Sequence, residues 1–453
     1  MASVRSHRNI ELMTYSEVNN VSGFVGSFKV QIKQKPRYVD MGKCTGCGSC
    51  QEKCPTRADN AFDAGLGKRK AIYTPFAQAL PNVPVIDIQS CMHFQKGKCG
   101  ICAKICEAKA IDYEQKEKVV EVEVGNIIVT TGFDTFDAAK IWQLGYGRFD
   151  NVISGIQFER MSNASGPTEG KLLLKDGKAP KSIAILHCIG SRDANYHKYC
   201  SRVCCMYSLK FAHLIHEKLP DAQVYQLYID MRCAGTGYEE FYLRLQEEGV
   251  IFIRGKAGEV TDIAETPEEN GKLIVLVEDT LIRRKRRLPV DMVVMSTALE
   301  PRADAEKVAR TFSLSRKADG FFLEKHPKLD PIATTTDGVF IAGCCQGPKD
   351  IPDTVAQASA AAARVLSMIS KGHVEIESAI ANIDEELCSG CKICIDLCPY
   401  QAITFVEEKK IAQVNEALCK GCGTCAAACP AGAITGRHFT TEEIMAEIEG
   451  VLS

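Results

Sequence analysis

Several features that mark large classes of protein are missing from this sequence. No apolar run reaches the about 18 residues that a membrane-spanning helix needs. The opening residues, MASVRSHRNIELMTYSEV, lack the apolar core of a secretory signal, so a cytoplasmic location is expected. Neither sign of charge dominates: 55 Lys and Arg stand against 57 Asp and Glu, for a formal charge of −2. That balance excludes a polybasic nucleic-acid binder. No Gly-x-Gly-x-x-Gly occurs; the nearest approach, Gly145-Tyr-Gly147, lacks the third glycine and does not follow a strand pattern. A self-contained nicotinamide-dependent reductase is therefore disfavoured. At 453 residues the chain is long enough for roughly three domains.

What the sequence has in excess is cysteine, 23 in all. A chain without a secretory signal is expected to keep its thiols reduced, so a disulfide framework explains them poorly and metal ligation explains them better. Cys44 to Cys54, Cys388 to Cys398 and Cys419 to Cys429 each read C-x2-C-x2-C-x3-C and run into Pro55, Pro399 and Pro430. This is the bacterial ferredoxin signature for [4Fe–4S] clusters, and a zinc ribbon, with its two C-x2-C pairs, does not account for it. Three thiolates two residues apart line a tight loop, and the fourth, placed at the start of a short helix, ligates the neighbouring cluster. A fourth run is stretched: Cys91, seven residues, then Cys99, Cys102 and Cys106, with Glu107 in place of proline. By the crossed rule, the N-terminal sets are Cys44, Cys47, Cys50 with Cys106, and Cys91, Cys99, Cys102 with Cys54. The C-terminal sets are Cys388, Cys391, Cys394 with Cys429, and Cys419, Cys422, Cys425 with Cys398.

Between these modules, 182–187, 203–219 and 222–230 read as strand, helix and strand, a dinucleotide-binding half-unit. Its first loop should carry phosphate-binding glycines, and instead carries Cys188, Cys200, Cys204 and Cys205. Two readings stand open: buried small thiols, or a further cluster at unusual spacing. Residues 122–133 read as one strand ending in Thr131-Gly132, and 334–357 as a strand, a glycine-rich turn and a helix running to about residue 369.

The segments T-Y-S-E-V-N-N-V-S-G-F-V-G-S-F-K-V (14–30), Y-C-S-R-V-C-C-M-Y (199–207), G-Y-E-E-F-Y (237–242) and A-G-C-C-Q-G-P-K-D-I-P-D-T-V-A-Q (342–357) resemble the A subunits of the heterodisulfide reductases, a family of iron–sulfur flavoproteins. The resemblance runs from near residue 8 to about residue 437. It implies an α/β fold: a thioredoxin-reductase-like core of two dinucleotide domains with two α+β bacterial-type ferredoxin modules. It implies an atypical fifth [4Fe–4S] cluster on Cys188, Cys200, Cys204 and Cys205. It also implies an FAD facing Thr131, Gly132, Gly343, Cys344, Gly347, Pro348, Lys349, Ile351, Pro352 and Thr354. Family members usually begin with a βαβ unit carrying the phosphate loop. This chain opens inside that domain, and a partner subunit supplying the missing half is expected; a vestigial flavin site is the alternative.

On this reading residues 1–42 are FAD-domain strands, 43–112 an inserted ferredoxin module, and 113–180 a further FAD-domain segment. Residues 181–300 form the second dinucleotide-like unit, 301–375 return to the FAD domain, 376–437 form the C-terminal ferredoxin module, and 438–453 a terminal helix. The expected function is electron transfer through five clusters to and from a flavin in a multisubunit anaerobic complex, by flavin-based bifurcation. A plain relay in another low-potential complex, such as a multisubunit benzoyl-CoA reductase, and a non-catalytic cluster-stabilised scaffold are the alternatives. Arg283 to Arg287 are expected on a solvated hairpin tip, with docking of an acidic partner such as ferredoxin as the second reading. Cys233 and Cys345 are expected to be packing residues, as are His187, His197, His213 and His216. The C-terminal helix is expected to be capped at Thr440 or Thr441 and to dock on its own domain or on a partner.

Overall fold

The computed structural model describes residues 2–373 and 378–452. At its centre is a five-stranded parallel sheet in the order Val152–Ser154, Met292–Thr297, Ser182–Ile189, Gln223–Tyr228, Ile251–Arg254. Every residue of Ser182–Ile189 and of Met292–Thr297 is buried. Such continuous apolar strands belong in a sheet covered on both faces. Helices Gly155–Ser162 and Cys204–Lys218 help cover one face, through Phe158, Leu209, Phe211 and Ile215. An antiparallel meander, Ala257–Thr261, Leu273–Asp279 and Arg284–Val290, contributes Val275, Val277 and Val290 to the core of the other.

A second unit combines an antiparallel sheet, Ser16–Phe24, Ser27–Gln34 and Lys118–Val124, with a two-stranded parallel sheet of Ile127–Val129 and Val339–Ile341. The stretch read as one strand over 122–133 is thus broken. At Gly125 and Asn126 the chain leaves its partner 27–34 and turns to pair with 339–341; the Gly125 carbonyl accepts from Gly26 N, and Ile127 N donates to the Gly338 carbonyl. The first ferredoxin-like module leaves this unit at Gln34 and rejoins it at Lys118. These two residues are paired across the sheet, so the insertion leaves the strands in register. The module docks on the central unit through the Arg160 guanidinium, 2.9 Å from Asp63, with both side chains only 11% exposed.

Three further expectations are corrected. The fourth cysteine of each ferredoxin run follows a short helix rather than opening one. The helices are Ser49–Glu52, Ile101–Ile105, Ile393–Leu397 and Thr424–Ala428, each carrying the third cysteine of its run, and three of them end just before a Cys-Pro pair that cannot continue a helix. The basic run is a solvated hairpin tip only in part: Arg283 on the turn and Arg284 and Lys285 beside it are exposed, whereas Arg286 and Arg287 lie further along the strand Arg284–Val290 and are half-buried. Arg286 pairs with Asp279, and Arg287 bonds Glu269 at 2.8 Å and Glu265 at 2.6 Å. The C-terminal helix Thr441–Leu452, capped by Thr440 in a box with Glu443, buries none of its residues and so does not dock on its own domain. No helix among the described residues is long and apolar enough to cross a membrane.

Candidate metal centres and the adjoining turn

In both ferredoxin-like modules the loops bend so that cysteines from two runs converge. Cys54, Cys91, Cys99 and Cys102 line one small cavity, with Ile72, Ile86, His93 and Tyr113. Cys388, Cys391, Cys394 and Cys429 line another, with Ala412 and Ile434. Cys425 lies in the field of Cys419 and of Cys398 from the other run, and Cys50 in that of Cys44 and Cys47. Cys106 packs in the same core as Cys44 and Cys50. Both of these cavities therefore draw on cysteines of two runs.

Two glycines make the C-terminal loops possible. A Cβ on Gly390 would lie 2.4 Å from the Lys410 carbonyl oxygen, and one on Gly421 would lie 2.3 Å from that of Ala379; both have positive φ. Backbone amides reach the sulfurs: Ala110 N donates to Cys106 Sγ and Ala402 N to Cys398 Sγ, each at 3.3 Å. Burial pushes the Cys50 thiol up to about 11, with Cys102 and Cys44 adding to it, so the free thiolate is disfavoured there. A positively charged iron core reverses that penalty, which fits this donor set to clusters.

The central group is built differently. Cys188 sits near the end of the Ser182–Ile189 strand with φ of 60°, at a bulge where the register to Met292–Thr297 shifts. A non-glycine residue there re-aims its side chain. Cys204 and Cys205 open the helix Cys204–Lys218, and Arg202 N donates to Cys200 Sγ at 3.3 Å. The hydrogen bond between Cys204 and Cys205 pushes the first thiol up and the second down, and His187 helps hold Cys205 low. His187 Nδ1, Ser191 Oγ and Arg192 Nη1 are buried without a hydrogen-bond partner among the described residues. Buried polar atoms are normally satisfied, so such atoms at the end of this strand and on the loop after it fit a group that the polypeptide alone does not supply.

Of the histidines, His187 bonds Gln226 at 2.5 Å, His197 bonds Glu300 at 2.6 Å, and His213 faces Glu248. Cys233 is half-buried and lies in the field of Cys205. Cys345 is buried, with Sγ 3.3 Å from the Val129 carbonyl.

The turn after Val339–Ile341 lies beside Thr131 and Gly132, because these two parallel strands end side by side. Ala342 N bonds the Val129 carbonyl at 3.2 Å. Gly343, Cys344 and Cys345 form one helical turn, Cys344 Sγ points to the Lys349 carbonyl at 3.5 Å, and Asp350 caps the helix Ile351–Lys371 through Asp353 N. Ligands of open α/β sheets sit at such strand ends. Burial pushes the Lys349 ammonium down, and Lys317 adds to it. A desolvated cation at a helix N-terminus is suited to an anionic ring. Sequence reasoning missed the bracing of this turn. Gln357 accepts from Gly343 N at 2.8 Å and donates to Gln346 at 2.5 Å, while Arg202 joins Asp353 at 2.7 Å. The Arg202 contact ties the central cysteine loop to the turn, and no local spacing in the sequence foretells it.

Residues 387–433 match the family model of the 4Fe-4S dicluster domain, and residues 37–58 that of the 4Fe-4S binding domain. The chain is 51% identical, over its whole length and 67% of the relative's, to the A subunit of the H(2):CoB-CoM heterodisulfide,ferredoxin reductase of Methanothermobacter thermautotrophicus. It is 50% identical, over 99% of its length and 68% of the relative's, to the second iron-sulfur A subunit of the CoB--CoM heterodisulfide reductase of Methanopyrus kandleri. Among solved structures, a thioredoxin reductase from T. acidophilum matches 56% of this chain and 69% of its own at 12% identity, with a TM-score of 0.37, too loose a likeness to carry weight. The identity and coverage to the curated relatives, together with the ferredoxin domains, place this chain in the family of heterodisulfide reductase A subunits, as an iron–sulfur electron-transfer component of an oxidoreductase.

Proposed function

We propose that this chain carries electrons through five [4Fe–4S] clusters, held by the two pairs of crossed ferredoxin sets and by Cys188, Cys200, Cys204 and Cys205, to and from a flavin at the 343–354 turn. The carrying observation is the convergence of cysteines from two runs on single cavities, as at Cys54 with Cys91, Cys99 and Cys102. The Arg202–Asp353 contact supports a direct route between the central group and the turn. FAD, when bound, supplies exchange between two-electron and one-electron chemistry. Thr131, Gly132, Gly343, Cys344, Gly347, Pro348, Lys349, Ile351, Pro352 and Thr354 would hold its ring side, with Gln346 and Gln357 keeping the turn rigid and the Lys349 ammonium offsetting negative charge there.

On this reading further polypeptide completes the cofactor site. Two features support a cover over this unit. Among the described residues the 127–129 strand pairs only with 339–341. The 351–371 helix exposes Ile351, Val355, Leu366 and Ile369, at 58% or more each. The Methanothermobacter relative's name joins a heterodisulfide to ferredoxin. Carried to this chain, that pair gives the two destinations that bifurcation at one flavin would serve.

Iron and flavin content of the anaerobically purified native complex tests the reading. About twenty irons and one flavin per chain are expected. About sixteen irons would remove the central cluster, and a complex without flavin would remove the bifurcating site.

A further inference from the structure

The two ferredoxin-like modules differ at one position that touches a candidate cluster ligand. Seven residues after the fourth cysteine of a run, the stretched run has Tyr113 after Cys106, whereas the C-terminal runs have Phe405 after Cys398 and Gly436 after Cys429. The backbone around these positions is shared, since Ala110 N reaches Cys106 Sγ as Ala402 N reaches Cys398 Sγ. The side chain is not. The Tyr113 hydroxyl lies 3.0 Å from Cys102 Sγ. Phe405 has no hydroxyl and lies instead under the Lys392 ammonium, 3.8 Å from its ring centroid.

Tyr113 is held in place from several sides. Its ring stacks on His93 with centroids 3.8 Å apart and an interplanar angle of 16°. His93 is fixed in turn by its Nδ1, 2.8 Å from the Cys99 carbonyl. Phe94 meets Tyr113 edge-on and packs on Tyr38 at 4.5 Å. Next door, Asp112 N bonds the Tyr38 carbonyl at 3.1 Å. The hydroxyl thus approaches the sulfur from a preorganised position, on the wall of the cavity formed by Cys54, Cys91, Cys99 and Cys102.

We propose that Tyr113 is a potential-setting residue: its O–H donates to the Cys102 thiolate and raises the reduction potential of the cluster in the Cys54, Cys91, Cys99 and Cys102 set. This rests on the reading that the set holds a [4Fe–4S] cluster. A phenol is protonated at neutral pH and serves as a donor to a thiolate. Adding one electron makes the cluster more negative and places part of that charge on its sulfurs. A hydrogen bond to a sulfur then stabilises the reduced form more than the oxidised one. No proton is transferred and no bond is made or broken at the tyrosine. The consequence is a cluster easier to reduce than the same cluster without the hydroxyl.

Tyr113→Phe in the native complex removes the hydroxyl and keeps the ring stack. Iron and sulfide content is measured first, and then each cluster's midpoint by anaerobic redox titration followed by electron paramagnetic resonance. The expected result is unchanged iron with one cluster shifted to lower potential, by about tenfold in its reduction equilibrium, or about 59 mV for one electron. An unshifted cluster at full iron content would overturn the proposal, as would an equal shift of all clusters. Selective loss of four irons in the variant would also overturn it, by making Tyr113 a packing residue. Wild-type protein lacking a cluster on this set would sink the underlying reading instead, and the iron count before mutation separates that outcome from the others.

Discussion

Arg160 shows how one side chain fixes the place of a whole module. Its Nε donates to Asp63 at 2.9 Å, its guanidinium covers the Phe62 ring at 4.5 Å, and Gln157 on the same helix donates to the Ala64 carbonyl at 3.1 Å. Breaking a buried pair from one side leaves an uncompensated charge. Arg160→Met should therefore cost about 3 kcal/mol and loosen the inserted module. Differential scanning calorimetry and protease cutting near residues 34 and 118 would show it; unchanged melting would mean that the pair carries little of the docking. None of this was legible in the sequence, because Asp63 and Arg160 lie 97 residues apart and neither belongs to a motif. The ferredoxin cysteines were legible, since iron–sulfur loops demand thiols at fixed short spacings. Cys188 was legible as a residue type, but its left-handed backbone and the bulge that aims it are products of the sheet.

At the scale of elements, the 21-residue helix Ile351–Lys371 buries only Ala361. Its apolar residues at 351, 355, 366 and 369 follow helical spacing and face no other described part of the chain. If a partner subunit completes the flavin unit, Leu366→Asp should weaken its association at least tenfold in a pull-down or mass-photometry titration. Since Leu366 is 61% exposed in the chain alone, the chain's own melting should hold. Equal association of variant and wild type would free this face of that role. The helix itself was readable from its alanine-rich run and its Asp-Ile-Pro start, where Asp350 caps and Pro352 sits in the first turn. The single strand expected over 122–133 was not readable as two. Apolar alternation cannot tell which neighbour a strand will pair with, and here the neighbour changes at Gly125.

The whole molecule divides by what holds each part together. The central sheet has large apolar cores on both faces. Among the described residues the C-terminal module buries only Ile380, Ala381, Cys394, Ala402, Ile403, Ile411, Ala412, Cys425, Ala433 and Ile434, most of them small and two of them candidate ligands. A core that small does not hold a domain without staples. Removing iron with an anaerobic chelator should therefore strip amide protection from 381–436 and from 43–112 while leaving it at 182–189 and 292–297, as read by hydrogen–deuterium exchange. Loss of protection everywhere at once would mean that the clusters hold the central sheet as well. The Lys420–Asp337 ion pair joins the C-terminal module to the unit carrying the 339–341 strand, a contact between distant segments.

By itself, the sequence determined the chemistry of the ferredoxin runs: their spacing marks iron–sulfur loops, because three thiols of one cluster must lie close in the chain to wrap it. It also determined the family, through long unbroken motifs. Tertiary structure alone decided the relations between sites. Arg202 reaches Asp353, Tyr113 reaches Cys102, and the central thiols sit among unpartnered polar atoms. Such contacts depend on which strands pair and where a bulge falls. Those choices are settled by packing over the whole sheet, and no local run of residues encodes them.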